Sequence, residues 1–207
     1  MNALRLTLLA AAMAVAGCQS LPDKPTEQTM YDFGPATTTP VSGAATGLPL
    51  QLPDVQVTGI LETSALLYRL AYEDVNRLRP YAFARWSAEP GELLRQRLRD
   101  VLGRDRPVLD SAASAALTRR GATPPPVLRV ELEEFSQVFD SPTASRGVVR
   151  VRCTLLESTG GGERLVAQRS FQVERPAPTP DAAGGVRAMA AASDALAQEL
   201  AAWLRGR

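Results

Sequence analysis

The chain contains no histidine, so the commonest general base and the commonest metal ligand are both missing. Cysteine is almost as scarce, with Cys18 and Cys153 the two in 207 residues. Zinc sites of the Cys/His kind are thereby excluded. Lysine occurs once, at Lys24, and arginine carries the rest of the positive charge. A formal net charge of +1 speaks against nucleic acid, which calls for a basic excess. Aromatic residues make up only 5%. No apolar run reaches the about 20 residues that a membrane-spanning helix needs. Catalytic frames are missing as well. Gly160-Gly161-Gly162 has no following Lys-Ser/Thr and no helix after it, so it reads as a turn and not as a phosphate loop. Ser64, Ser111 and Ser136 lack the glycine frame of a nucleophile elbow. The expectation is a protein without catalysis, cofactor or metal.

What is present begins at the N-terminus. Arg5 gives a positive start, Leu6 to Ala16 form a short stretch without charge, and Ala16 and Gly17 are the small residues a signal peptidase needs. Val15-Ala16-Gly17-Cys18 resembles the lipobox of bacterial lipoproteins. That resemblance implies a signal peptide over 1–17 and a lipidated Cys18 as the new N-terminus. Two or more acyl chains anchor a protein stably, at about 0.8 kcal/mol per buried CH₂. An Asp after the cysteine favours inner-membrane retention in enterobacterial lipoproteins, and Gln19 stands there instead. The resemblance therefore implies the periplasmic face of the outer membrane. The rival reading is an ordinary cleaved signal followed by a chance cysteine.

From residue 18 to 48 the composition is Pro, Thr, Gly, Ala and Ser, which cannot bury enough surface to offset its ordering entropy. It reads as a linker of roughly 30 Å root-mean-square reach. Its exception is a short strand near 30–34, where alternation puts Tyr31 and Phe33 on one side before Gly34-Pro35.

Residues 49–207 read as one domain. Leu50 to Val57 suggest a strand interrupted at Pro53, Leu66 to Tyr72 a second, and Tyr81 to Trp86 a third after a turn over Asn76 to Pro80. A helix over 87–102 follows, with Ser87 as its expected cap and Gly103 as its stop. Pro107 to Asp110 suggest a short strand and Ser111 to Arg120 a short helix. Leu128, Val130 and Leu132 alternate with charged residues, then slip phase at Glu134 so that Phe135 faces inward, as at a bulge. Val149, Val151, Cys153 and Leu155 alternate next, and Leu165, Ala167, Phe171 and Val173 after them. Gaps over 140–147 and 158–162 are hairpin-sized, which makes an antiparallel meander with one wet face. A last helix over 182–205 is capped by Asp181, with Val186, Met189, Leu196, Leu200 and Trp203 on its apolar side. The expected fold class is α+β: a two-layer sandwich of a mostly antiparallel mixed sheet with two main helices on one face.

Tyr68, Arg69, Tyr72, Tyr81, Arg85 and Trp86 gather aromatic and guanidinium groups in one stretch, the residue types that dominate binding energy at protein interfaces. They are the candidate partner- or ligand-binding residues; the alternative is that Trp86 and one Tyr row pack under the first helix, which for Trp86 is the favoured reading, and that Arg69 and Arg85 merely face water. Cys153 on an apolar strand phase reads as buried, and Glu131, Glu133 and Glu134 as a solvated face.

The lipobox, Tyr31-Asp32-Phe33, Tyr68-Arg69 and the Arg85-Trp86 to Leu94 run together resemble the ABC-type transport auxiliary lipoprotein family. The resemblance implies a fold like the N-terminal domain of TolB. It also implies a role beside transporters that carry MCE (mammalian cell entry) domains and move lipids between membranes. The implied partners are the membrane, through the anchor, the MCE-domain and permease/ATPase subunits, and phospholipid. An outer-membrane structural or assembly lipoprotein is the alternative.

Overall fold

A computed structural model describes residues 27–35 and 47–206 of the chain. The expected signal peptide, lipobox and Cys18 lie outside the described residues. In chain order the first elements are β1 (Thr29–Tyr31), β2 (Leu50–Gln51), a 3-10 turn (Gly59–Glu62), β3 (Ala65–Leu70), β4 (Leu78–Trp86) and α1 (Pro90–Leu102). Then come β5 (Val108–Leu109), α2 (Ser111–Arg119), β6 (Val127–Ser141), β7 (Ala144–Thr159), β8 (Gly162–Pro176) and α3 (Ala182–Arg205).

One eight-stranded sheet organises the molecule. Its spine is the antiparallel meander β6–β7–β8. The other edge of β6 is shared: β3 pairs with it in parallel from Tyr68↔Gln137 to Leu70↔Phe139, and β2 joins in parallel at Gln51↔Val127. Beyond β3 lie antiparallel β4 and then parallel β1, while β5 runs parallel to β2. The α+β sandwich expected from the sequence is the fold, with parallel pairs at both ends of an antiparallel spine. α3 lies against β6, β7 and β8 and packs on α1; α2 is a third, short helix beside β5.

Local chemistry sets the element ends. α1 starts at Pro90 and not at 87: proline with its fixed φ occupies the first helical turn, and Glu89, not Ser87, holds the cap position without a capping side-chain bond. Asp181 caps α3 by accepting from the Gly184 N–H at 2.7 Å, and Asp110 caps α2 from Ala113 at 2.7 Å. The β6 phase slip is real, falling between Leu132 and Glu134. Strands run further than their patterns suggest. The hairpin gaps shrink to Pro142-Thr143 and Gly160-Gly161, because polar residues near a turn still pair their backbones. β4 begins at Leu78 and includes Pro80, tolerated because β1 reaches only Ala84 to Trp86 and leaves that side of β4 an edge. Leu165 does not join the apolar face: a bulge opposite Leu155-Leu156 shifts the phase of β8, and Leu165 is exposed while Phe171 and Val173 stay buried.

The core is continuous from Leu50 and Leu52 through Trp86, Leu94, Leu98, Leu128 and Phe135 to Met189 and Leu196, all at or near zero exposure. Small residues let the layers meet. A Cβ on Gly147 would stand 2.6 Å from the Met189 nitrogen, so α3 rides directly on the β7 backbone. The short strand expected near 30–34 docks on the domain, and the last residues of the expected linker touch it as well. Tyr31 and Phe33 pack on the core, and the Gly47 N–H donates to Asp105 O at 3.0 Å.

Candidate interaction site

The six candidate residues do not converge; the β3–β4 pair distributes them over both faces of the sheet. Between Ala65↔Arg85 and Leu67↔Pro80 the register jumps, and this bulge in β4 changes which side chains face the helices. On the helix side, the Tyr68 and Tyr81 rings lie 4.6 Å apart at 44°, with Phe139 edge-on to Tyr68 at 6.0 Å. The Tyr81 hydroxyl donates to Gln137 Oε1 at 2.8 Å, and the Gln137 amide donates to Ser145 Oγ at 2.8 Å. Burial, then the negative potentials of Tyr68 and Asp181, raise the Tyr81 pKa, so the phenol is held as a donor. These two rings hold the β3–β4 pair to β6 and the start of α3.

Arg69 faces the other way. It donates twice to Glu134, at 3.4 and 3.3 Å, and once to the Val75 carbonyl at 3.3 Å. Its fork geometry is spent on binding β6 to the turn after β3. Trp86 is 1% exposed and contributes no surface. Its ring meets Phe33 edge-on at 5.6 Å and Phe135 at 5.3 Å, and among the described residues its Nε1 has no hydrogen-bond partner. Only Tyr72, on the turn after β3, and Arg85, on β4, face solvent. A single aromatic/arginine patch is therefore not what the fold builds.

A different arginine is the more constrained one. Arg97 sits on the apolar stripe of α1, four residues from both Leu93 and Val101, and is 4% exposed. Its Nη2 donates to the Phe33 carbonyl at 3.0 Å, its Nη1 pairs with Asp194 on α3 at 3.1 Å, and its guanidinium lies 5.8 Å from the Phe33 ring centre. One side chain thus ties the β1 segment, α1 and α3 together. Its signal in the sequence was a charge on the wrong helical phase, in register with leucines. Beside it is a small cavity of about 110 Å³, which Asp32, Phe33 and Asp100 help to line. A wider cleft of about 480 Å³ lies between Met30 to Gly34 and the start of α3.

The outer face of the sheet is a lattice of ion pairs. Glu133 accepts from Arg150 at 3.1 Å and Arg152 at 2.7 Å, beside a cleft of about 580 Å³ also lined by Gln56, Thr58 and Glu131. Glu133 is thus held between two guanidinium groups on the outer face. Burial pushes the Cys153 thiol up to about 12, which leaves it unreactive inside the core. Among the described residues, no group of three or more His, Cys, Asp or Glu could hold a metal ion, and no helix is long and apolar enough to cross a membrane.

The family model described as "ABC-type transport auxiliary lipoprotein component" matches residues 31–201, from β1 to the last turns of α3. A crystal structure of a Xanthomonas campestris protein of family DUF330 superposes with a TM-score of 0.67 at 19% identity, covering 85% of this chain and 94% of that one. A second solved structure, of an uncharacterized protein, gives a TM-score of 0.60 at 14% identity, covering 86% of this chain and 99% of that one. No curated protein matches the sequence significantly. At such identities the solved structures support the fold alone.

Proposed function

The chain belongs to the ABC-type transport auxiliary lipoprotein family, and from that premise we propose that it is a lipid-anchored, non-catalytic adaptor of an MCE-associated lipid transport system. In this reading Cys18 carries the acyl anchor and keeps the domain on the periplasmic face of the outer membrane. The domain binds MCE-domain or permease/ATPase subunits, and a separate ATPase supplies the energy. Tyr72 and Arg85 are the two sequence candidates left free to make such contacts, while Tyr68, Arg69, Tyr81 and Trp86 shape the surface from beneath.

One observation favours an adaptor over a lipid carrier: the space between sheet and helices is filled. Trp86, Phe135, Leu94, Leu128 and Met189 occupy it at 0–2% exposure. The larger clefts, about 480 and 580 Å³, lie on the surface and contain charged groups such as Asp32, Arg187, Glu133 and Arg150. Acyl chains need an apolar sleeve, and burying these groups against them would cost several kcal/mol each.

The test is affinity capture of the native acylated protein from its own envelope, followed by lipid extraction of what is captured. An MCE-domain subunit should come down, with no stoichiometric phospholipid in the purified domain. Capture of bulk envelope proteins alone would sink the transport reading. Stoichiometric phospholipid would replace the adaptor with a carrier.

A further inference from the structure

The strand by which the chain enters the domain presents an apolar face of its own. β1 is parallel to β4, with Met30 opposite Arg85 and Tyr31 opposite Trp86. Tyr31 and Phe33 turn onto the core, so Met30 points outward and is 60% exposed. Burial alternates along this end of β4. Trp86 and Ala84 are buried, whereas Arg85 is exposed and Phe83 is 57% exposed. Met30, Arg85 and Phe83 thus share the outer face of one sheet corner, and Arg85 Nη2 lies 3.6 Å from Met30 Sδ. Arg69, Arg79, Arg95 and Arg97 each have a carboxylate partner; among the described residues Arg85 has none. The chain also arrives here. Gln28 Nε2 donates to Ala82 O at 3.4 Å, so Gln28, the residue before β1, is fixed on the stretch of β4 that carries Phe83.

Twelve residue steps separate Cys18 from Met30, and twelve steps fully extended span at most about 40 Å. With Cys18 acylated, this corner cannot stand further than that from the bilayer. We propose that the corner formed by Met30, Phe83 and Arg85 rests on the phospholipid surface. The two apolar side chains enter the boundary between headgroups and acyl chains, and the guanidinium meets lipid phosphate. The inference rests on the anchored-lipoprotein reading of Cys18. Two apolar side chains and one cation are too few to hold a free domain on a membrane. On a tethered domain the contact is intramolecular in effect, so it needs only to orient what the anchor already holds.

The experiment uses the acylated full chain in vesicles of phosphatidylethanolamine and phosphatidylglycerol, with an environment-sensitive fluorophore on Phe83→Cys. Cys18 is blocked by its acyl group and Cys153 is fully buried, so the new thiol alone takes the label. Labelled Leu165→Cys and Val75→Cys report on other exposed positions, on the far edge strand and on the β3–β4 turn. Flotation with the vesicles checks the anchor, and the native emission of buried Trp86 and Trp203 checks the fold. Spin-labelled lipid should quench the label at 83 several-fold more than at 165, with a blue shift at 83 only. A chain that floats but is quenched equally at 83 and 165 overturns the contact and leaves the anchor standing. Quenching at 75 and not at 83 also overturns it, by standing the domain on its β3–β4 turn. A chain that fails to float overturns both the anchor and the contact.

Discussion

Gln137 is fully buried and uses both ends of its amide, accepting from Tyr81 and donating to Ser145. Above it only glycine fits, because a Cβ on Gly185 would stand 2.0 Å from Gln137 Oε1 and 2.5 Å from its carbonyl carbon. Alanine is the better helix former by roughly 1 kcal/mol. Here the steric conflict wins, because relieving it moves a buried amide off both partners. Gly185→Ala should lower stability by about 1–3 kcal/mol in urea unfolding. Tyr81 gives a pH signature at the same spot. Its folded pKa is raised above the ordinary value of 10.0, chiefly by burial. Its contribution is therefore complete below about pH 10 and is lost as pH rises further. The Cys153 thiol, pushed to about 12 from 9.0, acts with the same sign in an overlapping range. Tyr81→Phe separates the two. It should cost about 1–3 kcal/mol at neutral pH by leaving the Gln137 oxygen unpaired, and it should flatten the fall in stability above pH 10. An unchanged alkaline limb would show that the hydroxyl contributes nothing.

Among the elements, β1 is a short strand held by Arg97 to the Phe33 carbonyl, Phe33 against Trp86 and Phe135, the Gln28 and Ser87 hydrogen bonds, and three residues of pairing. Arg97→Leu removes the first while keeping the apolar stripe of α1. Asp194 is about a third exposed and can regain water, so global stability should change little. Hydrogen exchange at 29–33 should rise at least tenfold while β6 and β7 stay protected; protection unchanged at β1 would contradict the role given to Arg97. The meander was legible in the sequence because alternation of Val and Leu with Arg and Glu over β6 and β7 admits one register, and even the slip at Glu134 showed. The ends of α1 and the turns were less so. A proline at the first helical position outweighed a good capping serine, and backbone pairing continued past the last apolar residue. The candidate site was the least legible part. Alternation places Tyr81 and Arg85 on one face, and a bulge in β4, silent in a run of Ala and aromatic residues, parts them.

Across the whole molecule, the filled core, the ion-paired outer face and the chain's entry at one sheet corner describe a part that holds a position and offers surfaces. Cys18→Ser with an exported chain should move the protein from the membrane to the soluble envelope fraction without altering its melting temperature, because the described core is packed by residues between Tyr31 and Leu204. Retention in the membrane fraction would point to a second attachment. The slightness of β1 also has a mechanical side. A pull carried through the N-terminal segment loads that three-residue strand and the ring of Phe33 before any long strand feels it. With β1 released, the chain from Cys18 to Gly47, the next described attachment, counts twenty-nine residue steps in place of the twelve to Met30, and its extended limit grows from about 40 Å to about 100 Å. If Cys18 carries the proposed anchor, the strand would act as a clutch: engaged, it would keep the domain close to the bilayer, and released, it would let an intact domain follow a receding partner across the gap.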